Sequence, residues 1–350
     1  MLVGCWFCSL APAIPARRRD TARRAPDQCP ARRRSRNAPC ERAQSSLEAV
    51  SRGPIDGGRT ALSCALSACD VRKVALLLDA GANLHDSRGG YTALIDAAYG
   101  GTRRPDEELL SLLRLLVSRG ASMDDVTSYR ESVLSVLSRL GRFTAIGCLL
   151  DAGADLRPLK WTSLHSAIAL GSLSEVVALL NRGADAEARD AWDRTPLLLA
   201  IHAGDLHKTE LLLLHGVDRA ARGRCGSPAV FYAIERSDRA MLAWLVGEGF
   251  SLLDKDAFGT SALAHACEHG NFSAVRQLLD AGHDPDADQD HRNALFRCDE
   301  PVVARALLDA GADPSNLPFE TRRALVGLPP EPNLRLCDAT PDEARRGCAR

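Results

Sequence analysis

Lysine is nearly missing from this chain. Of its 44 basic residues only Lys73, Lys160, Lys208 and Lys255 are lysine, and with abundant Ala and Gly that skew points to a GC-rich coding genome. Aromatic residues are equally sparse at 5%, so a core must be built from Leu, Ala and Val. Beyond the first few positions no stretch approaches the roughly 18 uninterrupted apolar residues that a spanning helix needs, which argues against a membrane protein. Chemical signatures are missing too. There is no GxSxG, no P-loop and no dinucleotide glycine pattern after a strand-like segment. The chain therefore reads as non-enzymatic, with no cofactor.

What is present is 350 residues of soluble composition, 45% apolar and 25% charged. The net charge of -1 hides an asymmetry. Residues 1 to 52 carry 11 Arg against the acidic Asp20, Asp27, Glu41 and Glu48, so the remainder holds 33 basic and 41 acidic residues, a net of -8 by subtraction from the totals of 44 and 45. The 12 cysteines are spread along the chain. Cys64, Cys69, Cys148, Cys225, Cys267 and Cys298 fall on or near apolar helical patterns, which suits buried free thiols in a reducing, cytoplasmic setting better than a disulfide framework.

Residues 1 to 44 are Arg- and Pro-rich and carry no periodic apolar pattern, so they read as a disordered basic arm or as translation from a mis-set start. LVGC at Leu2 to Cys5 mimics a lipobox but begins at residue two, and CWFC at Cys5 to Cys8 has redox or metal spacing without a second pair. A short helix, SSLEAVSRG, is expected from Ser45.

From there one phrase keeps returning. LLDAGA stands at Leu77 to Ala82, Leu149 to Ala154 and Leu307 to Ala312, with LLDAGH at Leu278 to His283. It reads as a helix end: leucines in the last turn, then a Gly for the left-handed stop. Repeats align on Thr60, Thr92, Ser132, Thr162, Thr195, Ser227, Ser261 and Asn293, at spacings of 32, 40, 30, 33, 32, 34 and 32. These are helix-capping residue types, and Pro196 and Pro228 fall where a first helical position lacks a donor anyway. About ten residues on, a Gly turns the chain into a second helix.

TPLLLAIHAGDLHKTELLLLHG (Thr195 to Gly216), TSLHSAIALGSLSEVVALLNRGAD (Thr162 to Asp185) and TALSCALSACDVRKVALLLDAGAN (Thr60 to Asn83) resemble the ankyrin repeat. The resemblance implies an all-α ankyrin-repeat solenoid of about eight units over residues 45–328, with helix-turn-helix repeats and β-hairpin fingers, followed by a mobile tail over 329–350. TRRPDEE (Thr102 to Glu108) would protrude as a charged turn. ERSD (Glu235 to Asp238) replaces the turn Gly of the sixth unit. The eighth unit, FRCDEPVVA, is about three residues short and prone to fray, and PFETRRALVG would close the array.

The resemblance also implies a non-catalytic scaffold that binds a protein partner, acting as a monomer, through fingertips and the inner helix face. The positions that such folds use for recognition hold Arg59, Tyr91, Tyr99, Tyr129, Glu131, Arg139, Trp161, Trp192, Arg194, His202, Arg224, Phe258, Glu268, His269, Asp290 and Arg292. Tyr, Trp and Arg are strong interface anchors, and Tyr129, Trp161 and Trp192 on consecutive fingers form the expected centre. On that reading, replacing both Trp161 and Trp192 by Ala abolishes capture and leaves stability within about 0.5 kcal/mol. The acidic repeat region favours a partner with basic patches. Rival readings are an adaptor for a degradation or signalling complex, with LVGLPPEPNLRL as a faint recruiting box, and a nucleic-acid binder using the basic arm, disfavoured because no aromatics interleave its arginines. His165 matches the family histidine that ties one repeat to the next. HACEH (His265 to His269) puts two imidazoles at i and i+4, but no third ligand can be named, so no metal site is expected.

Overall fold

A computed structural model describes residues 59–85, 91–101, 104–127, 129–288 and 293–317. The basic arm, the first expected helix and the 329–350 tail therefore lie outside the described residues, as do CWFC, PFETRRALVG, LVGLPPEPNLRL, Asp290 and Arg292. The chain divides into two compact units, one running to Arg130 and one from Glu131.

The first unit holds two helix pairs: α1 (Ala61–Ser67) with α2 (Val71–Asp79), and α3 (Ala93–Gly100) with α4 (Asp106–Ser118). The first helices pack on each other, as do the second ones. Gly100 sits where the two inner helices touch, since a Cβ there would lie 2.5 Å from the Leu66 carbonyl oxygen. The charged turn expected over Thr102 to Glu108 is shorter than the sequence suggested. Asp106, Glu107 and Glu108 form the first turn of α4 instead, where acidic side chains favour the positive end of the helix dipole.

The second unit continues with α5 (Val133–Arg139), α6 (Phe143–Asp151), α7 (Ser163–Ala169), α8 (Leu173–Asn181), α9 (Pro196–Ala203), α10 (Leu206–Leu214), α11 (Ala229–Arg236), α12 (Arg239–Gly247), α13 (Ala262–Glu268), α14 (Phe272–Asp280) and α15 (Pro301–Asp309). Helices α7, α9, α11 and α13 form an inner row, each packed on the next. Behind them α8 packs on α10, and α12, α14 and α15 follow one another. In the eighth repeat the first helix is reduced to a turn over residues 293–297, in line with its short sequence.

Helix boundaries follow the expected local chemistry. Thr60, Ser132, Thr162, Thr195 and Ser261 are N-caps whose hydroxyls accept from the backbone N–H three residues on. The sixth repeat differs: Pro228 is itself the N-cap and α11 begins at Ala229. Every LLDAG phrase ends a helix in one register. In the first, the Ala82 N–H reaches the Leu77 carbonyl at 2.9 Å and the Gly81 N–H reaches Leu78 at 3.0 Å, with Gly81 at φ +90°. That paired bonding is the Schellman motif.

No β-strand forms among the described residues, so the fingers are turns rather than hairpin ladders. In the second unit they touch through single backbone bonds: Ala191 N–H to the Leu159 carbonyl (2.9 Å), Arg224 to Trp192 (3.0 Å) and Ala257 to Cys225 (2.8 Å). One bond per pair is too few for a ladder. A side-chain relay at 33-residue intervals reinforces them, Arg189 donating to the Arg222 carbonyl at 2.7 Å and Arg222 to that of Lys255 at 2.9 Å.

Candidate interaction surface

The expected recognition residues divide by burial. Tyr129 and Phe258 are 54% and 48% exposed, and Arg59, Arg224 and His269 are exposed as well. Tyr91 and Tyr99 are half-buried and meet edge to face at 5.5 Å. Glu131 lies 3.6 Å from Arg139, and Glu268 2.5 Å from Arg297. Trp161 is half-buried with its ring 6.3 Å from that of Phe143, and its indole N–H is enclosed without a hydrogen-bond partner.

Trp192, Arg194 and His202 are not surface residues. Trp192 is buried, and its indole N–H donates to the Ser135 carbonyl at 3.1 Å. Two guanidiniums approach its ring, Arg224 at 4.9 Å and Arg139 at 5.5 Å. Arg194, 1% exposed, donates to the Asp190 carboxylate through Nε (2.9 Å) and Nη2 (2.6 Å), to Ser138 O (2.9 Å) and Oγ (2.5 Å), and to His202 Nδ1 (2.9 Å). Ser135 and Ser138 lie on α5, two repeats before this finger. The reach is possible because the intervening finger is cut to a three-residue turn, Arg157–Leu159. The short spacing of 30 between Ser132 and Thr162 is the sequence signal for that gap.

The network also fixes a tautomer. Guanidinium cannot accept, so Arg194 makes His202 Nδ1 the acceptor and leaves the ring proton on Nε2. That nitrogen faces Glu235 Oε2 at 3.5 Å. Burial drives His202 down to about 3, which keeps it neutral.

Glu235 is the residue the sequence did not single out. It sits at the end of α11 on the inner face, with His265 Nε2 3.2 Å from its Oε1. Burial alone would raise its pKa, but the hydrogen bond from His265 and the imidazoles of His202, His265 and His269 together hold it at about 2. A ring nitrogen of His265, one of His269 and a Glu235 oxygen all lie within 4.8 Å of one another. The third donor that the HACEH pattern lacked thus comes from the preceding repeat. His165 performs the expected tie: the Thr162 N–H donates to Nδ1 at 3.3 Å, so Nε2 carries the proton toward the Arg194 carbonyl at 3.4 Å.

Of the six described cysteines, Cys69, Cys267 and Cys298 are buried, Cys64 is exposed, and Cys148 and Cys225 are intermediate. No helix among the described residues is long and apolar enough to cross a membrane.

Paired helices stacked repeat on repeat, with capped starts and Schellman ends, define a helix-turn-helix repeat protein. Models of the ankyrin repeats match residues 164–213 and 237–317, so the chain carries ankyrin repeats there. Among solved structures it is similar to the ankyrin repeat domain of Bcl-3, a member of the IkappaB protein family, at 24% identity over 72% of this chain and 99% of that one, with a TM-score of 0.33. No curated protein matches the sequence.

Proposed function

We propose that the chain is a non-catalytic scaffold that binds a protein partner through the fingertips and inner helix face of its second unit. Ankyrin repeats are in general protein-protein interaction modules, and no enzyme family matches. The observation that carries the reading is Phe258, a large ring left 48% exposed on a fingertip whose backbone is fixed. Asp256 Oδ1 accepts from the N–H groups of both Phe258 (2.9 Å) and Thr260 (2.8 Å). A preordered tip loses little entropy on docking. Arg224 on the adjacent finger and His269 on the inner face extend the surface, and the net charge of -8 over the region beyond residue 52 favours a partner with basic patches.

A photo-crosslinking side chain placed at Phe258 in the native host tests this. It should trap a discrete protein partner, and the same group at Leu214, 87% exposed on a second-row helix, should not. Equal trapping at both positions, or at neither, removes the assignment.

A further inference from the structure

We infer that Glu235, His265 and His269 form a binding site for a divalent transition metal of the zinc type, with one coordination position open to solvent. The proposal goes beyond the interface reading and stands without it. Imidazole and carboxylate are the nitrogen and oxygen donors that zinc takes alongside thiolate, and two His with one Glu is a ligand set that leaves a fourth position free.

The geometry fits the ion. Donors at about 2.1 Å from a tetrahedral zinc stand about 3.4 Å apart. The His265 Nε2 to Glu235 Oε1 separation of 3.2 Å already matches that edge. All three donors lie within 4.8 Å of one another, wider than that edge, so the exposed His269 would close in on the other two as the ion binds.

Two of the donors are held in place by other groups. His265 stacks on Phe231 with ring centres 4.1 Å apart and planes 15° from parallel. His202 Nε2, which carries the ring proton because Arg194 donates to Nδ1, lies 3.5 Å behind Oε2 of Glu235, and Oε1 would exchange its hydrogen bond from His265 Nε2 for the metal as that proton moves to Nδ1 of the same ring. His269 Nδ1 faces the His265 carbonyl at 3.1 Å. A carbonyl can only accept, so Nδ1 carries the proton and Nε2 presents a lone pair. Outer contacts of this kind orient ligands in zinc sites. The site is also reachable, since the side chains of His265 and Glu235 are 13% and 24% exposed and His269 is exposed. One carboxylate and two neutral imidazoles leave a bound dication with one net positive charge, which suits water or an anionic donor in the open position.

The test is calorimetric titration of the full, tag-free chain with Zn²⁺, paired with Co²⁺ absorption. One Zn²⁺ per chain should bind, and Co²⁺ should give ligand-field bands without thiolate charge transfer. His269→Ala and Glu235→Gln should each weaken Zn²⁺ binding by about 100-fold or more, beyond what outer contacts are worth. His207→Ala, at a side chain 79% exposed and outside the cluster, should leave it unchanged. Circular dichroism of each variant separates lost binding from lost fold. Absence of Zn²⁺ binding by the wild-type chain, equal affinity in folded His269→Ala and Glu235→Gln, or a thiolate band would each overturn the proposal.

Discussion

At the scale of single residues, the second unit depends on polar groups that work only as sets. Arg194 and Asp190 are both almost completely buried, and Asp190 Oδ1 also accepts from the backbone N–H of Trp192 and of Arg194. Removing the carboxylate strands a buried guanidinium and two amides. Asp190→Ala should therefore cost about 3–5 kcal/mol in urea denaturation, as for other broken buried pairs. His165 offers a pH test. Burial lowers its pKa from 6.5, so the folded chain keeps it neutral while the unfolded chain binds a proton below that value. The stability it contributes is complete above about pH 6.5 and declines as pH falls. His165→Gln should flatten the acid side of the stability profile between pH 6.5 and 5, and an unchanged slope would assign that slope to other groups.

At the scale of helices and turns, side chains of one repeat complete the helix ends of its neighbour. Lys208 Nζ donates to the carbonyls of Ile168 and Gly171, each at 2.9 Å. Asn271 does two jobs: its Oδ1 caps α14 through the Ala274 N–H at 3.0 Å, and its Nδ2 donates to the Ile234 carbonyl at 2.8 Å. Asn271→Asp keeps the cap and deletes the cross-repeat donor, so its expected loss of about 1–3 kcal/mol isolates the link. Asn271→Ala, which deletes both, should lose about 1 kcal/mol more. Melting curves of the two variants would show whether the cap or the link dominates. Much of this scale is legible in the sequence. LLDAGA encodes its Schellman end locally, in the leucine carbonyls and the glycine that can turn left-handed, and the capping Thr and Ser are equally local. The Lys208 and Asn271 links are not, because their acceptors lie 37 to 40 residues back in the chain.

At the scale of the whole chain, a repeat array is stabilised by neighbour interfaces that add approximately. Among the described residues the eighth repeat lacks a full first helix, and α15 packs on α14. Its amides, such as that of Leu307, should exchange with deuterium well before that of Leu212 in α10, which has repeats on both sides. Trp161 and Trp192 now belong to this scale as well. Because Trp192 is buried against two arginines and bonded to α5, Trp192→Ala should destabilise by about 3–5 kcal/mol, and capture lost in the double Trp161→Ala, Trp192→Ala variant would report unfolding rather than a lost contact. A thermal melt within about 0.5 kcal/mol of wild type would restore the surface reading. By itself the sequence determined the repeat, its period and its helix ends, since each of these is written within a few neighbouring residues. Only the tertiary structure decided which repeat-to-repeat differences face solvent. The short fourth finger lets Trp192 and Arg194 fall inward onto α5, and stacking of consecutive inner helices sets Glu235 beside His265 and His269, which belong to the next repeat. Burial and coordination depend on which side chains meet across a repeat, and separation along the chain carries little of that information.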